Sequence, residues 1–272
     1  MVTSMIRSKR ASASLRSSPR KRGSRIAAPR GKAVPDSRLR GNWQESTASA
    51  VLYRLLAWLS PAYPIGAFAY SSGIEWAVEA GDISDATTLQ NWIESLLRDG
   101  PGFCDSVMFV HAYRAIEADD RAGLRDVAEL AAALVSSKER QLETLTQGNA
   151  FVDATQKTWP CAALETLKAV WDGPTAYPVG VAVSARGHAV PLEAALAGFI
   201  QTLVANWVSA GVRLIPLGHT DGLRVVAALE SQVAETAARA RATSLDDTGS
   251  AVFRADLAGM RHETQYTRLF RS

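Results

Sequence analysis

Along most of the chain, apolar residues recur at the three-to-four-residue interval of a helix. Leu89, Trp92, Ile93, Leu96 and Leu97 fall at i, i+3, i+4, i+7 and i+8, one face of a helix. Asp85 stands where an N-cap belongs, and Gly100-Pro101 ends the run. Leu124, Val127, Ala128, Ala131, Leu134 and Val135 repeat the pattern, and Leu142, Leu145, Asn149 and Val152 mark the stripe of the next segment. Pro160 reads as a first-turn proline before Leu164, Leu167 and Trp171. Asp221 reads as the cap of a helix carrying Val226, Leu229, Val233 and Ala237. Strand signals are sparse, and only 177–184 and 212–217 read as extended. The expectation is an all-α fold, a single helical bundle of about ten helices over residues 46–261. No internal repeat points to a solenoid.

The stretch 194–212 holds nineteen residues without a charge, the length of a short membrane span. Phe199, Ile200, Leu203, Val204, Trp207 and Val208 nevertheless share one face, with Gln201, Asn206 and Ser209 away from it. A lipid-exposed helix has no reason to segregate them, so the segment reads as the buried central helix of the bundle. No membrane association is expected, and the cytoplasm is the expected location. Abundant Ala and Gly let helix axes approach closely, which leaves little room for a large cofactor cavity.

The charge is uneven. Residues 1–40 hold 12 Lys and Arg against one acid, Asp36, while the rest holds 18 basic and 26 acidic residues. The pI near 9.0 therefore belongs to the first forty residues, and the body is acidic. Residues 1–45 are rich in Arg, Ser, Pro and Gly and are expected to be a disordered extension. An extension without a specific role, an organellar transit peptide and a nucleic-acid arm all fit that composition. No aromatic residue is interleaved for base stacking in residues 1–40, so nucleic acid is not an expected partner. Two cysteines, Cys104 and Cys161, make no disulfide framework, and four dispersed histidines form no local metal motif. Neither a phosphate-binding GxxxxGK[ST] loop nor a GxGxxG turn occurs, and no cofactor or metal is expected.

Four segments carry more than helix packing requires. In the first, residues 59–75, Tyr63, Phe68 and Tyr70 surround a Pro- and Gly-rich corner that ends at Glu75. A second helix is expected to begin near Phe68, and the rings fit either a buried corner or a surface patch for a partner. In the second, residues 140–148, Gly148 interrupts a helical pattern, as a close backbone approach would require. In the third, residues 206–222, Arg213 follows the uncharged run and should be paired or face a partner. His219 and Asp221 in the same loop fit capping or hydrogen bonding. The fourth, residues 262–272, places Tyr266, Leu269 and Phe270 at i, i+3 and i+4, beside Arg268 and Arg271. As a helix this stretch shows one apolar stripe that would dock in a groove, of this chain or of another.

Together LSPAYPIGAFAYSSGIE at 59–75, VRLIPLGHTDG at 212–222 and HETQYTRLFRS at 262–272 resemble the UreF family of urease accessory proteins. The resemblance runs from about residue 50 to the end, with the motifs in the same order. His219 stands where the family has Gln, and Tyr63 where Phe is common. The resemblance implies an all-α homodimer without catalytic activity of its own, active in urease maturation. It implies binding to a UreD/UreH-like protein seated on apo-urease and to the GTPase UreG, coupling GTP hydrolysis to nickel insertion. By carry-over, His262, Glu263, Tyr266, Arg268, Leu269 and Phe270 in the C-terminal tail are expected to contact the UreD-like protein. Tyr63, Phe68, Tyr70 and Glu75 are expected to form a surface or dimer patch, with Arg213 through His219 and Asp221 facing the GTPase. Two rivals remain open on the residues alone: an enzyme that gathers Glu75, His219 and Asp221 in a helical cleft, and a nucleic-acid adaptor using the basic extension.

Overall fold

A computed structural model describes the backbone of residues 39–272 and the side-chain surroundings of residues 48–272. The expected disordered extension lies outside the described residues up to 38, and its expected boundary at 45 falls inside the first helix. Among the described residues there is no strand. Twelve α-helices follow one another: α1 (Leu39–Trp58), α2 (Ile74–Glu79), α3 (Ala86–Asp99), α4 (Pro101–Glu117), α5 (Arg121–Ala133), α6 (Lys138–Thr158), α7 (Ala162–Val170), α8 (Tyr177–Gly187), α9 (Leu192–Leu214), α10 (His219–Ala228), α11 (Glu230–Ala242) and α12 (Phe253–His262). A single 3-10 turn, Ala67–Ala69, lies between α1 and α2. The all-α class is as the apolar spacing predicts.

Several local expectations hold in detail. Asp85 accepts the Thr88 N–H at 2.8 Å, and Thr88 returns a bond to the Asp85 N–H, so α3 starts on a capping box. Gly100 ends α3, and Pro101 opens α4 in its first turn. In α9 the face Phe199, Ile200, Leu203, Val204, Trp207 and Val208 is buried. This helix is the one among the described residues long and apolar enough to cross a membrane, and over half of its most apolar window is buried inside the protein.

The centre of the bundle is α8, which packs against α4, α6, α7 and α9. Its residues 177–185 are all buried, although the segment reads as extended from its valines. Helix wins because it satisfies its own backbone hydrogen bonds, and no neighbouring strand is present among the described residues to satisfy an extended chain. Gly180, Ala182 and Ser184 keep it slim, and Ser184 gives its hydroxyl to the Gly180 carbonyl at 2.9 Å. Gly148 of α6 faces the chain just before α8, where a β-carbon would collide with the Thr175 carbonyl and the Ala176 backbone. Each fully buried Val, Leu or Phe in this centre contributes about 1.5–3 kcal/mol.

Three other readings are corrected. The stretch 212–217 ends α9 through Leu214 and only then extends at Ile215. Asp221 is not the cap of a long helix. It lies in the first turn of α10, where it accepts the Gly218 N–H at 3.3 Å, and the chain restarts at Leu229 as α11. Pro160 precedes α7, whose N-cap is Cys161.

Candidate partner-binding face

α6 buries a face turned away from the stripe of Leu142, Leu145, Asn149 and Val152, keeping only Val152 fully inside and Leu145 half-buried. Leu142 is 55% exposed, whereas Glu139, Glu143, Thr144, Gln147, Gly148, Phe151, Val152 and Thr155 are buried. The polar members of that face need partners, because an unpaired buried charge costs several kcal/mol. They find them in the loop between α1 and α2, in α4, α8 and α12, and in the C-terminal segment. Arg140 lies between Asp105, in direct ion-pair contact, and Glu143 at 3.5 Å. Burial opposes the charge on this guanidinium, and the carboxylates of Asp105 and Glu143 outweigh it, holding its pKa above the ordinary value. Glu143 also accepts the Ser72 hydroxyl at 3.1 Å, and Ser72 accepts the Trp207 indole N–H at 3.0 Å.

His262, the last residue of α12, is fully buried between two carboxylates. Its Nδ1 meets Glu139 Oε2 at 2.6 Å and its Nε2 meets Glu75 Oε2 at 3.0 Å. Both contacts are hydrogen bonds when both ring nitrogens carry hydrogen. Glu75 further accepts the backbone N–H of Leu269 at 2.6 Å and of Phe270 at 2.9 Å. Burial pushes the Glu75 carboxyl upward. The His262 hydrogen bond and the two backbone N–H groups more than offset this and hold it below the usual carboxylate range.

The C-terminal segment is therefore laid on the body. α12 ends at His262, and residues 263–272 are not helical, so the stripe expected for a helix there does not form. Competing backbone partners are the reason: the Arg271 N–H donates to the Ala69 carbonyl at 2.8 Å, and the Ser71 N–H donates to the Ser272 carbonyl at 2.6 Å. Glu263 accepts the Lys138 N–H at 2.9 Å at the start of α6, and Arg268 pairs with Glu139 at 2.7 Å. Phe270 is buried, while Tyr266 is fully exposed and Leu269 is 66% exposed.

Phe270 meets α9 through an arginine. The Arg213 guanidinium carbon lies 3.7 Å from the centre of the Phe68 ring and 4.1 Å from that of Phe270. Its Nε donates to the Ser209 carbonyl at 3.2 Å, and burial lowers its pKa. No carboxylate pairs with it among the described residues. Phe68, on the other side of the sandwich, is 67% exposed. The result is an arginine stacked between the exposed Phe68 ring and the buried Phe270 ring, next to a C-terminal segment that exposes Leu269 and Tyr266.

The sequence-selected residues thus divide. Phe68, Glu75, Arg213, His262, Arg268, Leu269 and Phe270 come together. Tyr70 is buried beside them, with its carbonyl facing the Asn206 amide at 3.4 Å. Tyr63 turns into the core instead: its hydroxyl bonds Thr155 Oγ1 at 2.8 Å, and its ring lies 5.3 Å from Phe151. His219 is exposed at the start of α10, and Asp221 pairs with Arg224 at 2.7 Å. Glu75 makes no contact with either, so the enzyme-like trio is not assembled. Sequence reasoning missed Glu139, Glu143, Ser71 and Ser72. The only signal for the first two is their i, i+4 spacing with Gln147, which also fits a solvated face. Among the described residues no group of three or more His, Cys, Asp or Glu is arranged to hold a metal ion.

A family model described as UreF matches residues 83–230, just over half of the chain. The urease accessory protein UreF of Rhodopseudomonas palustris (strain BisA53) is 60% identical over 224 residues, covering 82% of this chain and 94% of that protein. The chain belongs to the UreF family. The urease accessory protein UreF of Bradyrhizobium diazoefficiens (strain USDA 110) is 58% identical over 224 residues, 82% of this chain and 93% of that protein. Its counterpart in Bradyrhizobium sp. (strain ORS 278) is 60% identical over 223 residues, 82% and 92% of the two chains. The family relationship agrees with the all-α fold and with a place among urease accessory proteins.

Proposed function

We propose that this UreF-family chain is a non-catalytic scaffold for urease maturation. It bridges a UreD/UreH-like protein on apo-urease and a UreG-like GTPase, and so couples GTP hydrolysis to nickel insertion into the urease active site. It acts as a homodimer in the cytoplasm, and nickel is the cargo of the assembly rather than a resident cofactor. The observation that carries the reading is the exposed Phe68 ring over Arg213 beside a C-terminal segment that exposes Leu269 and Tyr266 and is held on a buried polar network. Aromatic residues and arginine are the side chains that anchor protein interfaces, and an arginine without a carboxylate partner invites an acidic one. Leu269, Tyr266 and Arg268 supply the UreD-like contact, and Arg213 with the α9–α10 loop supplies the GTPase contact.

Co-purification tests this. The full chain mixed with a UreD/UreH-like and a UreG-like protein should elute as one complex. The Tyr266→Ala, Leu269→Ser double variant should lose the UreD-like protein while keeping its own fold. Full retention of both partners by that variant would overturn the assignment of this face.

A further inference from the structure

The expected partner contacts include Glu75 and His262, yet both are buried, at 7% and 0% exposure. A group that no partner can reach acts on the face through what it holds. Glu75 holds three donors at once: the Leu269 N–H on one oxygen, and the Phe270 N–H and the His262 ring on the other. His262 carries the connection to Glu139, whose second oxygen takes Arg268 at 2.7 Å. The chain Glu75–His262–Glu139–Arg268 therefore leaves α2, passes through α12 and α6, and returns to the segment whose next two amides Glu75 holds. Residues 268, 269 and 270 are fixed in succession.

We propose that Glu75 is the positioning residue of this face: through its bridge to Glu139 by His262 it sets the backbone of Leu269 and Phe270, and with it the inner Phe270 wall of the Arg213 sandwich and the exposed Leu269 edge. The requirement is for a carboxylate. Two adjacent N–H groups and an imidazole N–H need three acceptor directions, which an ionised carboxylate provides. A glutamine of the same shape offers one oxygen and turns a donor toward the remaining donors. An aspartate keeps the charge but falls short by one methylene, about 1.5 Å. The charged groups around Glu75 are His262 from α12, Glu139 from α6 and Arg268 from the segment itself, with Arg140, Glu143 and Asp105 in the next layer. Since the donors favour the ionised form, docking of the segment weakens as pH falls and Glu75 takes a proton.

The inference rests on the proposed partner face for its consequence, but its primary test needs no partner. Amide hydrogen exchange of Leu269 and Phe270 is measured in the full chain, wild type and Glu75→Gln, across acid to neutral pH. At neutral pH the two amides should exchange about tenfold faster or more in the variant, the loss of charge-assisted hydrogen bonds. Helical content should stay at the wild-type level. Wild-type protection should fall toward acid pH, while that of the variant stays flat, a profile that a merely structural role would not produce. If Glu75→Gln does not fold, Glu139→Gln, which removes the far carboxylate of the same bridge, is read on the same amides. Unchanged protection of Leu269 and Phe270 in a folded variant would overturn the inference. Lost protection with undiminished partner capture would uphold Glu75 as the positioning residue and overturn the partner role of the face instead.

Discussion

Gly73 and Gly259 press two helices together at their backbones: a β-carbon on Gly73 would lie 2.8 Å from the Gly259 amide nitrogen. This close approach of α2 and α12 lets Glu75 and His262, 187 positions apart, share a hydrogen bond. Gly73 also has φ +81, where a side chain is strained. Gly73→Ala should therefore destabilise the protein by about 2–4 kcal/mol, strain and collision together. A β-carbon on Gly259 meets the Ser137 side chain, its Oγ at 3.3 Å and its Cβ at 3.8 Å, so Gly259→Ala should stay within about 1 kcal/mol of wild type. Urea unfolding of the two variants checks the contrast.

Leu269 and Tyr266 hold little of the fold, since both side chains are exposed. Leu269→Ser and Tyr266→Ala should each change stability by no more than about 0.5 kcal/mol. Each should weaken capture of a UreD-like partner by about tenfold, as the loss of an interface anchor does. Paired thermal melts and binding titrations separate the two effects.

Arg213 is held by two rings rather than by a carboxylate. Arg213→Ala should lower stability by about 1 kcal/mol, the scale of a partly buried cation–π contact. Arg213→Lys should restore the charge but not the flat stacking between Phe68 and Phe270, and so should recover GTPase capture only in part. Urea melts and pull-down with the GTPase read both.

The pH dependence of stability follows from Glu75, whose carboxyl is held below its ordinary value of 4.5. A depressed folded pKa means that the group's contribution is fully present above the ordinary value and is lost as pH falls through the folded one. The stability difference between wild type and Glu75→Gln should be constant from neutral pH down to that range and then shrink. Unfolding midpoints measured from pH 7 to pH 3 test the sign.

Cys104 is buried, and burial, with Asp105 and Asp256 nearby, pushes its thiol up to about 12. The thiolate is the reactive form, so in the native protein at pH 8 Cys104 should react with a disulfide reagent far more slowly than a free thiol. Unfolding in denaturant should release the full rate.

Legibility from sequence followed the strength of the local signal. The Asp85 cap, the Gly100-Pro101 break and the buried stripe of α9 were readable because one short segment holds the whole cause. α8 was not, because its valines favour an extended chain and only the surrounding helices decide for helix. Glu139 and Glu143 were not, because a polar stripe on a helix looks the same whether water or buried partners satisfy it. The motifs around Phe68, Arg213 and Phe270 could be chosen from their chemistry. Their arrangement, with Glu75 and His262 inside and Leu269 outside, depends on the α2–α12 approach, which no local pattern encodes.

The role proposed for this chain is to grip other proteins through this face. The most direct test is the nickel content of urease purified from cells that make the wild-type chain, the Arg213→Ala, Leu269→Ser variant, or no chain, at equal urease subunit levels. Full loading is expected with the wild type, and low loading, close to that without the chain, with the folded surface variant. Full loading by the surface variant, or in cells without the chain, would contradict it.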